Sequence, residues 1–142
     1  MIALDSNLLI YAHRRAVPQH QAAQAAIMRA AASGLGWGIP LSCAFEFWSV
    51  VTHPRASGGP SSGKQAHRFI ESLRRSGAEL WAPGATLWDR LARIGVKKRV
   101  FGPHVFDLSV ALTALECGAT EIWTHDATFV GVRGLRVHDP LA

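Results

Sequence analysis

Hydrophobic positions along this chain follow two rhythms, short continuous runs and longer stretches with helical spacing, and the two alternate from one end to the other. Ile2-Ala3-Leu4 is a continuous run that stops at Asp5, which reads as a buried strand. Ser6-Asn7 then read as helix-cap residues ahead of Leu8-Leu9-Ile10-Tyr11-Ala12. Pro18 interrupts, an alanine-rich helix is predicted over 20–32, and Ser33-Gly34 ends it. A second strand is expected over 36–41. After it Ser42 is the expected cap of an apolar helix running through Phe45, Trp48, Val50 and Val51. Residues 54–63 are dense in Gly, Pro and Ser and predict a loop. Helix is expected again over 64–75, strand over 79–82, and another helix from Ala85. Gly102-Pro103 open a helix over 104–116, with Leu108, Ala111, Leu112 and Leu115 at helical spacing and Gly118 as its stop. Strands are expected at 121–124 and 135–138. Strands alternating with helices predict a parallel sheet covered by helices, the α/β class. No internal repeat is present.

Composition narrows this picture. At 142 residues with 49% hydrophobic and 18% charged positions, the chain has the makings of one core, so a single domain over 1–142 is expected and disorder is excluded. No apolar stretch approaches a membrane span, and Asp5 interrupts the one N-terminal candidate for a signal peptide, so a membrane role is not expected. Cys43 and Cys117 stand alone without a CxxC pair, which argues against a disulfide scaffold or zinc ribbon and for a reducing cytoplasm. A net charge of +5 favours a polyanionic partner. The five Trp are expected mainly in the core.

The acids carry the chemistry. In a parallel α/β sheet, strands end and the following helices begin at one edge, and ligands bind there. Asp5 follows the first strand, Asp126 lies two residues beyond Thr124, and Glu46 and Asp107 sit near the first turns of helices. All four are therefore expected at one edge. Two unit charges ~4 Å apart repel by roughly 4 kcal/mol at an effective dielectric of about 20. A divalent cation offsets such repulsion, and Mg²⁺ and Mn²⁺ take oxygen ligands. Beside a phosphodiester, such a metal activates water and stabilises charge on phosphate oxygens. A basic surface around an acidic pocket suits a nucleic-acid substrate.

Four segments in order make the pattern familiar: Ile2-Ala3-Leu4-Asp5-Ser6-Asn7-Leu8-Leu9, then Ala44-Phe45-Glu46-Phe47-Trp48-Ser49-Val50-Val51 with Thr52-His53-Pro54-Arg55 behind it. Phe106-Asp107-Leu108-Ser109-Val110-Ala111 and Ile122-Trp123-Thr124-His125-Asp126-Ala127-Thr128-Phe129 follow. With these, the chain resembles the PIN-domain ribonucleases, in particular the VapC-like toxins of VapBC toxin–antitoxin pairs. The resemblance implies a three-layer α/β/α domain with a five-stranded parallel sheet and Mg²⁺- or Mn²⁺-dependent endonucleolytic cutting of RNA. It implies a homodimer and a cognate antitoxin whose tail crosses the active-site groove. By position it assigns Asp5 and Asp107 as principal metal ligands, and Glu46 and Asp126 as direct or water-mediated ones. Ser6, Asn7 and Thr124 become groups that orient these carboxylates. Ser6 stands where many relatives have Thr. Thr128 stands where some carry a further acid, which puts a second metal in doubt.

Other motifs are weaker. Gly58-Gly59-Pro60-Ser61-Ser62-Gly63-Lys64 matches most of a phosphate-binding P-loop, but Gln65 replaces the required Ser or Thr and no strand precedes it. A loop flanking the RNA groove is expected instead. His67 and Glu71 share a helix face without a third zinc ligand, and no GxSxG turn is present. His104 and His125 adjoin acids of the set, while Arg74-Arg75 and Lys97-Lys98-Arg99 are phosphate-gripping candidates to be judged by position. Asn7 is equally explained as a cap. Two alternatives stay open: a PIN-like RNA-processing nuclease without an antitoxin, and a catalytically weak RNA-binding domain. For the dimer, Leu8, Leu9, Tyr11 and the alanine-rich helix suggest surplus apolar surface in the N-terminal half.

Overall fold

The computed structural model describes residues 1–142. Its strands are β1 (Ile2–Leu4), β2 (Trp37–Pro40), β3 (Ala78–Trp81), β4 (Glu121–Trp123) and β5 (Arg136–His138). Its helices are α1 (Ser6–His13), α2 (His20–Ala32), α3 (Leu41–Val51), α4 (Gly63–Arg75), α5 (Leu87–Lys97) and α6 (His104–Glu116). The strands form one parallel sheet in the order β3-β2-β1-β4-β5, with Ile2 opposite both Trp37 and Glu121. The α/β class and the five-stranded parallel sheet are as expected.

The order explains the layers. From β1 the chain steps outward to β2 and β3, then returns past β1 to β4 and β5. Right-handed crossovers in opposite directions put their helices on opposite faces. α1, α2, α3 and α4 accordingly pack on one another, and α5 and α6 on each other. Between them the three central strands β2, β1 and β4 are almost wholly buried, as a sheet covered on both faces requires, while the edge strands β3 and β5 are partly exposed. Trp37, Trp81 and Trp123 are core residues, while Trp48 and Trp88 are exposed. No helix is long and apolar enough to cross a membrane.

Three local expectations are corrected. The cap of α1 is Asp5, whose carboxylate accepts the Ser6 N–H, so Ser6 and Asn7 lie inside the helix. α3 starts at Leu41 from Pro40, one residue before the expected cap Ser42, because β2 runs directly into it with no turn between. Leu8, Leu9, Ala23, Ala26 and Ala30 are fully buried within the chain, so these residues are not the surplus apolar surface expected for a dimer. The large exposed apolar side chains are instead Met28, Leu35, Phe45, Trp48 and Val50 in the N-terminal half, and Trp88, Val96, Phe101, Phe106 and Val137 beyond it.

Candidate active site

The reversal of strand order falls between β1 and β4, where ligand crevices open at the carboxyl ends of strands. Asp5 leaves β1 there, its N–H bonded to the Trp123 carbonyl of β4. Its side chain is 8% exposed and fully engaged. Oδ1 accepts from the Ser6 N–H at 2.8 Å and faces the Cys43 thiol at 3.6 Å. Oδ2 accepts from the Thr124 hydroxyl at 2.8 Å and from Asn7 Nδ2 at 3.3 Å.

Thr124 is the hub of this arrangement. Besides donating to Asp5, its hydroxyl accepts from Asn7 Nδ2 at 2.9 Å and from the Asp126 N–H at 3.1 Å. Asn7 Oδ1 in turn accepts the His125 N–H. Asn7 is therefore a clamp between α1 and the β4 exit and does no capping. Ser6, Asn7 and Thr124 all lie at the site, and no buried side-chain polar atom is left without a partner.

Asp107 arrives in the first turn of α6 and Glu46 from the second turn of α3. The three acids feel one another. Burial pushes the Asp5 carboxyl up, opposed by its hydrogen bonds from Thr124, Ser6 and Cys43, while the Asp107 charge raises it further. The Glu46 carboxyl is raised by desolvation, with the Ser6 hydroxyl acting against this and the Asp5 and Asp107 charges adding to it. Burial also pushes the Cys43 thiol well up, and the Asp5 and Glu46 charges reinforce that. The thiol thus stays protonated and serves Asp5 as a donor.

Asp126 differs from the other three. Its backbone reaches the Thr124 hub, but its Oδ1 accepts both the N–H and the hydroxyl of Thr128, at 2.9 and 2.7 Å. Its charge does not enter the balance at Asp5 or Glu46. The position where some relatives have an acid thus holds a residue that ties Asp126 back into its own loop.

The donor set is all oxygen and mutually repelling, which fits a hard divalent cation. No three acidic, His or Cys side chains stand close enough to enclose an ion by themselves. Mg²⁺ does not need this, since it is commonly held by one or two carboxylates with its remaining positions on water or phosphate.

The weaker motifs also find their places. Ser57, Gly58 and Ser61 line an open basic cavity of about 640 Å³ with His13, Arg15 and Arg68. The loop follows α3, and Arg14 braces it through the carbonyls of Gly59 and Val51, so it is no P-loop. His67 and Arg74 both meet Glu71 on the surface of α4. His125 is paired with Asp139 at 2.8 Å, and His104 with Asp107 at 3.3 Å. Cys43 and the His125–Asp139 pair were not anticipated from the sequence. For Cys43 a signal existed, since it lies three residues before Glu46 and shares its helix face.

With this geometry in view, the PIN domain model matches residues 2–135. The chain belongs to the PIN-domain family. This PIN domain is 30% identical over 142 residues to ribonuclease VapC43 of Mycobacterium tuberculosis (strain H37Rv), covering 99% of this chain and 96% of that one. It is 27% identical to ribonuclease VapC48 of the same strain, over 97% and 96% of the two chains. Among solved structures, M. tuberculosis VapC20, described as a Sarcin-Ricin loop cleaving toxin, superposes with a TM-score of 0.68 at 11% identity, covering 91% of this chain and 92% of that one. VapBC2 from Rickettsia felis, bound to a DNA fragment from its promoter, gives 0.65 at 17%, over 97% and 98%. These two likenesses bear on the three-layer α/β fold.

Proposed function

We propose that this single PIN domain, residues 1–142, is a divalent-metal-dependent endoribonuclease, the toxin of a type II toxin–antitoxin pair. The observation that carries the reading is the buried Asp5. Four donors fix it at the β1/β4 crevice, the Asp107 charge presses upon it, and the two together press upon Glu46. A core acid with no cation to serve is costly to keep in such company. The VapC names of relatives matching nearly the whole chain support RNA as substrate and an antitoxin as partner.

In this reading Asp5 and Asp107 hold Mg²⁺, with Mn²⁺ as a substitute, and Glu46 and Asp126 contribute directly or through water. The bound ion supplies an activated water and neutralises charge developing on the phosphate. The chain does the rest by positioning. Ser6, Asn7 and Thr124 fix both oxygens of Asp5, and Thr124 also anchors the backbone of Asp126. The protein acts in the cytoplasm as a homodimer, with its antitoxin lying across the carboxylate groove. RNA cleavage with Mg²⁺ or Mn²⁺ that stops with EDTA is the expected result. Zn²⁺ and Ca²⁺ should substitute poorly, for want of His and Cys ligands in the first case and of tight octahedral geometry in the second. Undiminished cutting in EDTA overturns the metal-dependent reading.

A further inference from the structure

A second cavity adjoins the carboxylates and is not explained by them. It has a volume of about 370 Å³ and is lined by Lys98, Arg99, Phe101, His104, Thr128 and Val130. Two of these walls are shared with the acidic site, since His104 bonds Asp107 and Thr128 bonds Asp126. No acid lines the cavity itself, and neither Lys98 nor Arg99 is paired with a carboxylate. Lys98 is instead held in place by the Gly131 carbonyl, at 2.7 Å.

Arg99 sits where arginine is conformationally disfavoured. It has φ of 53°, the one non-glycine residue of the chain with positive φ. The reason is the ending of α5. The Arg99 N–H bonds the Val96 carbonyl and the Val100 N–H bonds the Gly95 carbonyl, the paired bonds of a Schellman ending that puts a left-handed residue at this point. α6 ends with the same two bonds, Gly118 to Leu115 and Ala119 to Ala114, and there the left-handed residue is glycine. An arginine side chain kept where glycine would relieve the backbone suggests a task for its charge.

Two residues on stands Phe101, 77% exposed, its ring edge-on to His104 with centroids 5.9 Å apart. A solvated aromatic ring, two cations without counter-charge and a pocket of ligand size form a recurring combination. Aromatic faces stack nucleobases, and arginine and lysine take phosphates. We infer that this cavity is a nucleotide subsite, in which Phe101 stacks a base of single-stranded RNA and Arg99, with Lys98, holds an adjacent phosphate next to the cleaved bond. The inference rests on the endoribonuclease reading for its substrate. It assigns Arg99 and Phe101 as residues that place the strand over the carboxylates and thereby influence where it is cut.

The test measures binding of labelled single-stranded RNA of mixed sequence, about 12 nucleotides long to span one site, in EDTA at several salt concentrations. Phe101→Ala should weaken binding about five- to a hundredfold with the salt dependence unchanged, because stacking is not electrostatic, and Phe101→Trp should restore it. Arg99→Gly should lower the slope of log affinity against log salt by about 0.7, the signature of one lost phosphate contact on a single strand. The same variant should melt higher than the parent, because glycine removes the backbone strain. Parent-like affinity in Phe101→Ala, or a parent-like salt slope in Arg99→Gly, overturns the subsite. So does a Phe101→Ala protein whose mass in solution halves while its RNA affinity per chain is unchanged, since the ring would then serve contact between copies. A parallel cleavage assay with Mg²⁺ separates the two readings. A parent that binds with these signatures but never cuts defeats the nuclease reading alone, and a parent that cuts without them defeats the subsite alone.

Discussion

Thr124 shows how much of the site hangs on one hydroxyl. It is 1% exposed, donates to Asp5 and accepts from Asn7 and the Asp126 backbone. Thr124→Val preserves shape and strands those partners in a buried place, so a loss of about 1–3 kcal/mol is expected in a denaturant melt. RNA cleavage should fall by roughly 10–100-fold, the usual effect of removing a group that orients a metal-binding carboxylate. At this scale the sequence was informative about residue types and poor about their partners. Four ordered acids could be picked out because strand ends and helix starts place them. Asn7 could not be resolved, because a cap and a clamp use the same side chain at the same position. The contacts that decide between them, Thr124 and the His125 amide, lie 117 and 118 residues further along. Asp126 lies at the β4 exit, where position put it, but its engagement with Thr128 is a matter of local turn geometry that spacing does not encode.

Among the elements, the sheet tolerates change least where side chains cross between neighbouring strands. Gly38 in the middle of β2 lies beneath the Trp81 indole of β3, and a Cβ there would collide with a ring that is 4% exposed. Gly38→Ala is expected to cost about 1–3 kcal/mol, the range for overpacking, with a lower thermal midpoint as the measure. The β4–β5 pair offers a pH test. Glu121 is held below the usual glutamate range, first by the Trp123 indole N–H at 3.0 Å and then by Arg136 at 2.9 Å. A depressed carboxyl pKa means that the folded state favours the charged form. The stabilisation is therefore present above the ordinary glutamate pKa and fades as pH falls through the folded value. Glu121→Gln should melt below the parent at neutral pH by less than ~1 kcal/mol equivalent, and the gap should close in acid. A gap that persists unchanged in acid would show that the charge is not its source. Element identities were legible from hydrophobic rhythm alone, since buried parallel strands and amphipathic helices differ so plainly in period. Helix starts were less so, as Asp5 displacing Ser6 as a cap and the direct passage of β2 into α3 show.

For the molecule as a whole, stability and metal binding should oppose each other at the carboxylates. Asp107→Asn removes one of three mutually repelling charges with little change of shape. Without metal the variant should melt no lower than the parent. With saturating Mg²⁺ the order should shrink or reverse, because the parent gains RT ln(1 + [L]/Kd), about 2.7 kcal/mol at a hundredfold excess over Kd, and the variant gains little. RNA cleavage should be lost in the variant. Four melts and one cleavage assay check this, and a variant cutting at the parent's rate removes Asp107 from the site.

The bonds that join Asn7 and Asp5 to Thr124 and His125 span 117 to 119 residues, the longest reach of any side-chain hydrogen bonds in the protein. Contacts so distant along the chain carry the largest loop-closure entropy and form after local structure. A growing polypeptide on the ribosome can complete α1 and α2 early, yet Asp5 lacks its main donor until β4 has been made and docked beside β1. The proposed nuclease activity therefore becomes available late in synthesis. Partial chains, which a cell produces whenever translation stalls, carry the first acid of the site without the architecture that completes it.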